Sequence, residues 1–583
     1  MTPTPTACSG ARGNARKTSS DVPARPFTGV ALLWVVVLLS GATSVHAQPS
    51  RPDTVRFLEQ ATFGPTAPLI AHVQAAGFEA FLAEQLAAPM TAYPDLEFWP
   101  QNRPPSCTGD CQRDNYTNFL LHRHFFVNAL TGPDQLRQRV AFALGQILVV
   151  SRVDIPLPSW MRSYQQLLYR GAFGNFRQLL QEVTLHPTMG RFLDMLNNRC
   201  QTRTPLDPAV CRNGLPAQPN ENYAREILQL FSIGTFLLNP DGTRQLDGTG
   251  HPVPTYDQPE VEAFSRVFTG WTLAPALPGP AGIGGTVPNY RDPMTVRLDA
   301  RGREAFHDKG PKTLLAGLHL PGGQSQAEEL NAAIDNIAHH PNVAPFISKQ
   351  LIQHLVTSNP TPGYVERVAG VFAAHRHSPT QLYDVARAIL LDPEARGDVK
   401  DPAAEPHYGK LREPVLFITN ILRAFNATSD GVLNSLTVAG SPIGAADMSQ
   451  DVFNAPSVFS FYPPTARVPG EGVLGPQFAI FSSLTSLRRA NFVNRVIFSA
   501  IPPATPNRPT GTSIDLAEWE ALADDPDQLI AALNGLLLHD TMSAEMRDAV
   551  TVAVDSIPAA DRRARVRTAI YLVATSPQYQ VQR

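Results

Sequence analysis

The chain has 583 residues, of which 43% are hydrophobic and 17% charged, and its 54 prolines and 39 glycines follow no period. This composition excludes a coiled coil, a collagen-like chain and a wholly disordered protein. With 48 basic and 51 acidic residues the formal net charge is -3, so there is no general basic surface for nucleic acid or for an anionic membrane.

The first 47 residues have the three parts of a cleavable export signal. Four basic residues precede an apolar stretch at 27–39, and small residues follow up to Ala47. We expect cleavage after Ala47 and a mature protein that begins at Gln48. The alternative is an uncleaved anchor, but the apolar stretch is shorter than the roughly 20 residues that a membrane span needs. The expected location is the periplasm or the cell exterior, without membrane attachment once the signal is removed.

Four cysteines remain in the expected mature chain, an even number in a compartment where disulfides persist. Of the three possible pairings, proximity favours Cys107 with Cys111 and Cys200 with Cys211, because each closes a short loop. The alternative, a four-cysteine zinc site, normally needs two closely spaced pairs, and Cys200 and Cys211 are too far apart to form one. We predict disulfides here and no metal site.

Hydrophobic residues recur at three- and four-residue steps through most of the mature chain, which is the spacing of helices with one buried face. The clearest example is 134–151, which follows a Gly-Pro-Asp start signal. Similar patterns occupy 55–62, 77–86, 116–130, 176–185, 223–233, 261–267, 330–338, 343–356, 364–374, 382–391, 415–425 and 564–574. The sequence therefore predicts a mainly α protein with one large multi-helical body over residues 48–583.

Strand-like alternation is confined to 295–298 and 313–320. Turn residues lie between these two stretches, so we expect a small β-hairpin appendage. Segments rich in proline, glycine or polar residues near 101–113, 274–290 and 501–513 are expected to be exposed loops.

The densest polar cluster is the run Asn-Glu-Asn-Tyr-Ala-Arg-Glu at 220–226, in a predicted helix that ends at Gly234. Helical spacing places Glu221 beside Arg225 and Asn222 beside Glu226. Glu221 and Glu226 point about 140° apart, so they cannot act as a pair. One interpretation is a helix surface with ordinary ion pairs. The other is that Glu226 is a desolvated general base or ligand at a cleft.

A second cluster contains His307, Asp308 and Lys312 in the predicted hairpin region. An adjacent His and Asp, followed after a turn by a Lys, could supply a general base, an orienting carboxylate and a cation for an anionic substrate. The alternative is an Asx turn whose charges face solvent.

Two histidines, His122 and His124, lie among apolar residues of a predicted helix. Residues two apart on a helix face nearly opposite directions, so these histidines cannot chelate one ion together. We interpret both as histidines of the core.

Six stretches spread over nearly the whole mature chain resemble a known family: 57–65, 220–234, 265–271, 307–312, 340–346 and 411–415. The family is the bacterial domain-of-unknown-function family numbered 1800. The resemblance implies exported, mainly helical proteins without an established activity. They are often encoded beside members of another uncharacterised family that looks like alkaline phosphatases and sulfatases. Some relatives carry Trp-His-Asn-His-Phe where this chain has Leu-Gly-Gln-Ile-Leu at 144–148, which argues against a metal site there.

The chain lacks the zinc-protease, nucleophile-elbow, phosphate-loop, dinucleotide and calcium-loop signatures, and it indicates no particular cofactor. Two hypotheses follow. In the first, the protein is an accessory or assembly partner of a cell-envelope or secreted enzyme, with an exported phosphatase- or sulfatase-like protein as the partner that the resemblance implies. In the second, it is an envelope hydrolase or lyase with Glu226 or His307 as general base, Asp308 as orienting group, and Asn222, Arg225 and Lys312 as substrate ligands.

Overall fold

The computed structural model describes residues 48–199, 218–280, 284–396, 406–503 and 510–583. Residues 48–583 form one compact unit. The described ranges contain 22 α-helices and only two-residue strands, which confirms the mainly α prediction. The predicted signal segment and the predicted pair Cys200 and Cys211 lie outside the described residues.

Eleven of the described helices precede residue 270. They are α1 (Arg51–Ala61), α2 (Ala67–Ala76), α3 (Phe78–Ala87), α4 (Asp110–Tyr116), α5 (Phe119–Thr131), α6 (Gln135–Ile147), α7 (Pro158–Gly171), α8 (Phe176–Leu185), α9 (Pro187–Phe192), α10 (Asn222–Gln229) and α11 (Gln258–Val267).

The helices of the second half follow the predicted hairpin region. They are α12 (Gln326–Ala338), α13 (Val343–Leu355), α14 (Pro362–Ala374), α15 (Gln381–Leu391), α16 (Pro414–Ala424), α17 (Ser483–Phe498), α18 (Ala517–Glu520), α19 (Pro526–Leu537), α20 (Ala544–Asp555), α21 (Arg562–Thr575) and α22 (Pro577–Gln580). Helix α16 is buried along its whole length and forms part of the centre of the core.

Four helices of at least 12 residues, α7, α17, α19 and α20, were not predicted from the hydrophobic pattern. Helix α20 buries only Val550 and Val554, and α17 leaves Leu484 and Leu487 more than half exposed. A periodic pattern of apolar residues indicates one buried face, so α17 and α20, which bury few apolar residues or expose some of them, give a weak signal.

The strands form six antiparallel pairs within the described ranges. The pairs are β1 (Trp271–Thr272) with β4 (Thr295–Val296), β2 (Leu277–Pro278) with β3 (Thr286–Val287), β5 (Lys312–Thr313) with β6 (His319–Leu320), β7 (Lys410–Leu411) with β12 (Val581–Gln582), β8 (Thr428–Ser429) with β11 (Thr512–Ser513), and β9 (Thr437–Val438) with β10 (Ser441–Pro442). The β5–β6 hairpin lies where alternation was found at 313–320. The alternation found at 295–298 corresponds to β4, which pairs with β1 rather than with the stretch at 313–320. Strands of two residues are too short to alternate visibly, which is why the remaining strands were not predicted.

A buried ion pair joins α1 to the segment that precedes α16. Arg412 Nη2 lies 2.6 Å and 2.7 Å from the two carboxylate oxygens of Glu59. Asn420 donates to the same carboxylate at 2.9 Å, and His539 Nε2 lies 3.0 Å from it. Burial alone would raise the pKa of Glu59, but Arg412 and His539 outweigh it and lower that pKa from 4.5 to about 2.

Candidate functional site

The structure brings His307, Asp308 and Lys312 together with Glu329 of α12. Lys312 Nζ lies 2.7 Å from Glu329 Oε2, and His307 Nε2 lies 3.2 Å from the same oxygen. Arg266 of α11 donates to both carboxylate oxygens of Asp308, at 2.9 Å and 3.1 Å. The cluster therefore pairs three cations or potential cations with two carboxylates.

This cluster is closed to solvent. The side chains of His307, Asp308, Lys312 and Glu329 have no exposed surface. Burial lowers the pKa of Lys312, and Glu329 and Asp308 partly oppose that change. The contacts tie α11, β5 and α12 together, and a substrate could reach them only if this junction opened. The catalytic and substrate-binding roles of these residues stay predictions.

The polar run at 220–226 lies in a different set of contacts. Arg225 pairs with Glu221 at 2.8 Å, as helical spacing predicts. Asn222, however, donates at 2.9 Å to Asp194 rather than to Glu226, because the chain brings that loop carboxylate to the helix start. No described hydrogen bond or ion pair joins Glu226 to the His307 cluster.

Glu226 is half-buried, and its Oε2 is enclosed without a hydrogen-bond partner among the described residues. Burial raises its pKa above 4.5, and Arg225 opposes the change. The hydroxyl of Tyr256 is likewise buried without a partner in the ranges that the structure describes. Burial, with a smaller contribution from the Glu226 charge, raises the pKa of Tyr256 to about 12 despite Arg225. Glu226 therefore has the environment of a group that holds a proton more tightly than usual.

An open cleft of about 440 Å³ lies elsewhere, between the α4–α5 junction and the loop at 431–435. We call it the arginine cleft, because Arg113, Arg123 and Arg152 line it together with the polar residues Asn118, His122, Asn434 and Asp451. Sequence analysis did not predict it.

A glycine allows the two walls of the arginine cleft to meet. Gly431 has a φ of +79°, and a Cβ at this position would lie 2.4 Å from the carbonyl oxygen of Arg123. Any other residue would push the loop away from α5. On the other side, α4 begins just before Cys111, which the structure pairs with Cys107 at a Cα separation of 5.2 Å.

A hydrogen-bond network orients His122 in the cleft. Asn434 Oδ1 accepts from the backbone N–H of Val452 at 3.0 Å, so the amide turns its Nδ2 toward His122 and Asp451. That nitrogen lies 3.0 Å from His122 Nδ1 and donates to Asp451 Oδ1 at 2.7 Å. Burial lowers the pKa of His122 to about 4, against the opposing charge of Asp451. The ring is therefore neutral near pH 7, with Nδ1 as acceptor and the proton on Nε2.

The three arginines differ in how far their charge is already neutralised. Arg113 pairs with Asp110 at 2.7 Å and with Asp114 at 2.8 Å. Arg123 Nε donates to the Asp430 carbonyl at 2.9 Å, and Arg152 Nη2 donates to the Tyr116 carbonyl at 3.2 Å. Neither Arg123 nor Arg152 forms an ion pair with a carboxylate of the described residues, so both keep their charge for a ligand.

Several polar atoms at the cleft are buried without any partner in the described part of the chain. They include both amide atoms of Asn118, Nε2 of His122 and Nε of Arg152. Asn118 is only 1% exposed. Buried polar groups are normally hydrogen-bonded, so a group of unpaired ones at a cleft indicates a missing ligand or ordered water.

Backbone strain occurs at the same place. Phe453 has a φ of +62°, which is unfavourable for a bulky side chain. Its ring stacks on His122, with centroids 6.0 Å apart, and meets Phe125 edge to face at 5.6 Å. Strain of this kind persists where the surrounding structure requires it, and it is common at binding sites.

The interpretation of both histidines as core residues is incomplete for His122, which is half-buried and lines the cleft. His124 is also half-buried, and burial lowers its pKa. The run His-Arg-His was visible in the sequence. Its partners Asn434 and Asp451 lie about 300 residues later, so no local spacing could associate them with it.

Two further observations concern metals and membranes. Across the described ranges, no three His, Cys, Asp or Glu side chains lie close enough together to hold a metal ion. None of the helices in those ranges is both long enough and apolar enough to span a membrane.

Comparison with known proteins gives one match. A family model described as a protein of unknown function (DUF1800) matches residues 56–581. No curated protein and no solved structure matches the chain significantly.

Proposed function

Since the chain belongs to the family of proteins of unknown function numbered 1800, we propose that it is an exported accessory protein that acts by binding. In this proposal, the arginine cleft is the binding site, and the partner is an exported phosphatase- or sulfatase-like protein of the kind that relatives of this family accompany. Export with a cleavable signal and an oxidised Cys107–Cys111 pair are parts of the same proposal.

The observation that carries the proposal is the chemistry of the hydrogen-bond donors that line the cleft. Arg123, Arg152 and the His122 Nε2–H are hydrogen-bond donors, and two of the three carry a charge. Donors of this kind hold a ligand, but they do not remove a proton from it. The predicted acid and base residues His307, Asp308 and Lys312 are instead paired with one another, Arg266 and Glu329 in the interior.

The partner can be tested with protein expressed from its full-length gene and exported. We expect it to co-elute stoichiometrically with an exported phosphatase- or sulfatase-like protein of the same organism. A photo-crosslinker at Ser435, an exposed residue of the cleft lining, should label that partner, whereas one at exposed Ser556, at the end of α20, should not. Equal labelling at both positions, or separate elution in repeated trials, would contradict the proposal.

Hydrolase or lyase chemistry at Glu226 is the second candidate. It is favoured by one observation, the unpartnered Oε2 of a carboxyl whose pKa is raised by burial. A general base with a raised pKa works closer to neutral pH than an ordinary carboxylate.

Glu226→Gln distinguishes the two candidates. Its raised pKa means that Glu226 favours folding below pH 4.5 and loses that contribution as the pH rises through the folded pKa. The neutral amide should therefore raise Tm slightly at pH 7, with no such gain at pH 4. Partner binding should not change. Loss of hydrolysis of 4-nitrophenyl phosphate, sulfate or acetate in this variant, with Glu221→Gln still active, would favour the enzyme.

A further inference from the structure

We propose that the arginine cleft binds an oxyanion, carried as a phosphate, a sulfate or a carboxylate group. This rests on the proposed function only in using the same cleft, because it does not require a partner protein. The class of ligand follows from the donors, the charge balance and the fixed state of one histidine.

The donors come from two segments of the chain. Arg123 belongs to α5, Arg152 follows α6, and Asn118 precedes the first turn of α5. The first N–H groups of a helix lack acceptors within the helix, and the positive end of its dipole favours an anion. The Asn118 amide adds a donor that is buried and unpaired at this helix start. Guanidinium groups match the planar edge of two oxygens, which phosphate, sulfate and carboxylate groups all present.

The charge of the cleft favours an anion even after its own acidic groups are counted. Asp451 is the acidic residue of the lining, and Asn434 and Asn454 already donate to its oxygens at 2.7 Å and 2.8 Å. Arg113 is neutralised by Asp110 and Asp114. The lining therefore has two guanidinium groups without a carboxylate partner among the described residues, those of Arg123 and Arg152, and one carboxylate whose oxygens already accept hydrogen bonds.

His122 can act toward such a ligand only as a donor near neutral pH. Its Nδ1 faces the Nδ2 of Asn434, which has no lone pair to offer, so Nδ1 must accept. The Nε2 then carries the hydrogen, and it has no partner among the described residues. A cation would meet no suitable acceptor on this ring, whereas an oxyanion would complete its hydrogen bonding.

The test is titration of the purified protein, expressed from its full-length gene, with sodium phosphate, sulfate and acetate. Ionic strength is held constant with sodium chloride at pH 7, and binding is followed by calorimetry and by the shift in Tm. We expect saturable binding of at least one of these anions. Arg152→Gln and Asn118→Leu should each weaken it about ten- to hundredfold, the effect of losing a hydrogen bond to a charged group.

Two controls make the result specific. Arg301→Gln removes the same charge from an exposed turn outside the cleft and should bind like the wild type. Asn118→Leu removes a side chain that makes no hydrogen bond to any described residue, so this variant should fold even if Arg152→Gln does not. The anion bound most tightly identifies the source of the oxyanion group.

The inference fails if none of the three anions saturates the protein within about 10 mM. It also fails if both cleft variants bind as tightly as Arg301→Gln, which would mean adventitious ion binding only. If an anion binds saturably, the cleft variants weaken that binding, and no partner protein is captured, the result supports this inference and rejects the proposed function. If the partner is captured but no anion binds saturably, the result rejects the inference and leaves the proposed function standing.

Discussion

Replacing Glu329 by leucine is expected to lower the free energy of unfolding by about 3 to 5 kcal/mol, the cost of leaving a buried charge without its partner. Lys312 Nζ would keep its bonds to the carbonyl oxygens of Asp308 and Gly310. The remaining carboxylate, Asp308, lies 3.5 Å from that nitrogen and is already bound by Arg266. The variant would therefore bury an ammonium group with too little opposing charge.

Urea unfolding at pH 7 measures this effect. The double variant Lys312→Met with Glu329→Leu should recover part of the loss, because it removes the unpaired charge together with its former partner. Arg387→Gln is the matched control, since it breaks an exposed ion pair with Glu79 and should cost less than about 1 kcal/mol. Equal losses in the Glu329 single variant and the Arg387 control would show that the His307 cluster does not stabilise the fold.

Acidification is expected to remove about 3 kcal/mol of stability through Glu59 alone. Its pKa is about 2 in the folded protein, against 4.5 without these contacts. A lowered folded pKa means that the contribution is complete above pH 4.5 and is lost as the pH falls toward 2. The cause is the pairing of the carboxylate with Arg412 and His539 in a buried site.

The part of the pH dependence of stability that Glu59 causes should be absent when its carboxylate is removed. Glu59→Gln should be less stable than the wild type by about 3 kcal/mol at pH 7, and the difference between the two proteins should shrink steadily between pH 4.5 and pH 2. Glu366→Gln, a change at an exposed residue of α14, provides the comparison for nonspecific effects of charge removal. A constant difference between wild type and Glu59→Gln across this range would contradict the assignment.

One of the helices that the sequence predicted well is apolar along most of its length. The pattern at 415–425 corresponds to α16 (Pro414–Ala424), which starts with a proline after Glu413 and is buried on every side. By contrast, α17 exposes Leu484 and Leu487 and could not be recognised from periodicity. Its start signal is a capping box in which the side chains of Ser482 and Thr485 each accept from the backbone N–H of the other residue. Because Thr485 stands where a capping box usually has Glu or Gln, this signal is easily missed.

The candidate sites were predictable only as far as their residues are neighbours in sequence. His307, Asp308 and Lys312 were expected together, and they do lie together, but their partners Arg266 and Glu329 come from separate helices. The interpretation as an Asx turn predicted that these charges would face solvent. They are buried instead, because both helices supply residues of opposite charge. The arginine cleft depends on four distant segments, so its existence is a property of the fold rather than of any local motif.

The tie between Glu59 and Arg412 has a consequence for the order of folding. The two residues are 353 positions apart, and strand β12, which ends at Gln582, pairs with β7 directly before Arg412. Helix α1 therefore cannot complete its native contacts until almost the entire chain has been synthesised. Contacts between such distant positions slow folding, because a long loop must close before they form. We therefore expect refolding to be slow and α1 to pack late. During synthesis, α1 should remain without its native contacts long after it has left the ribosome.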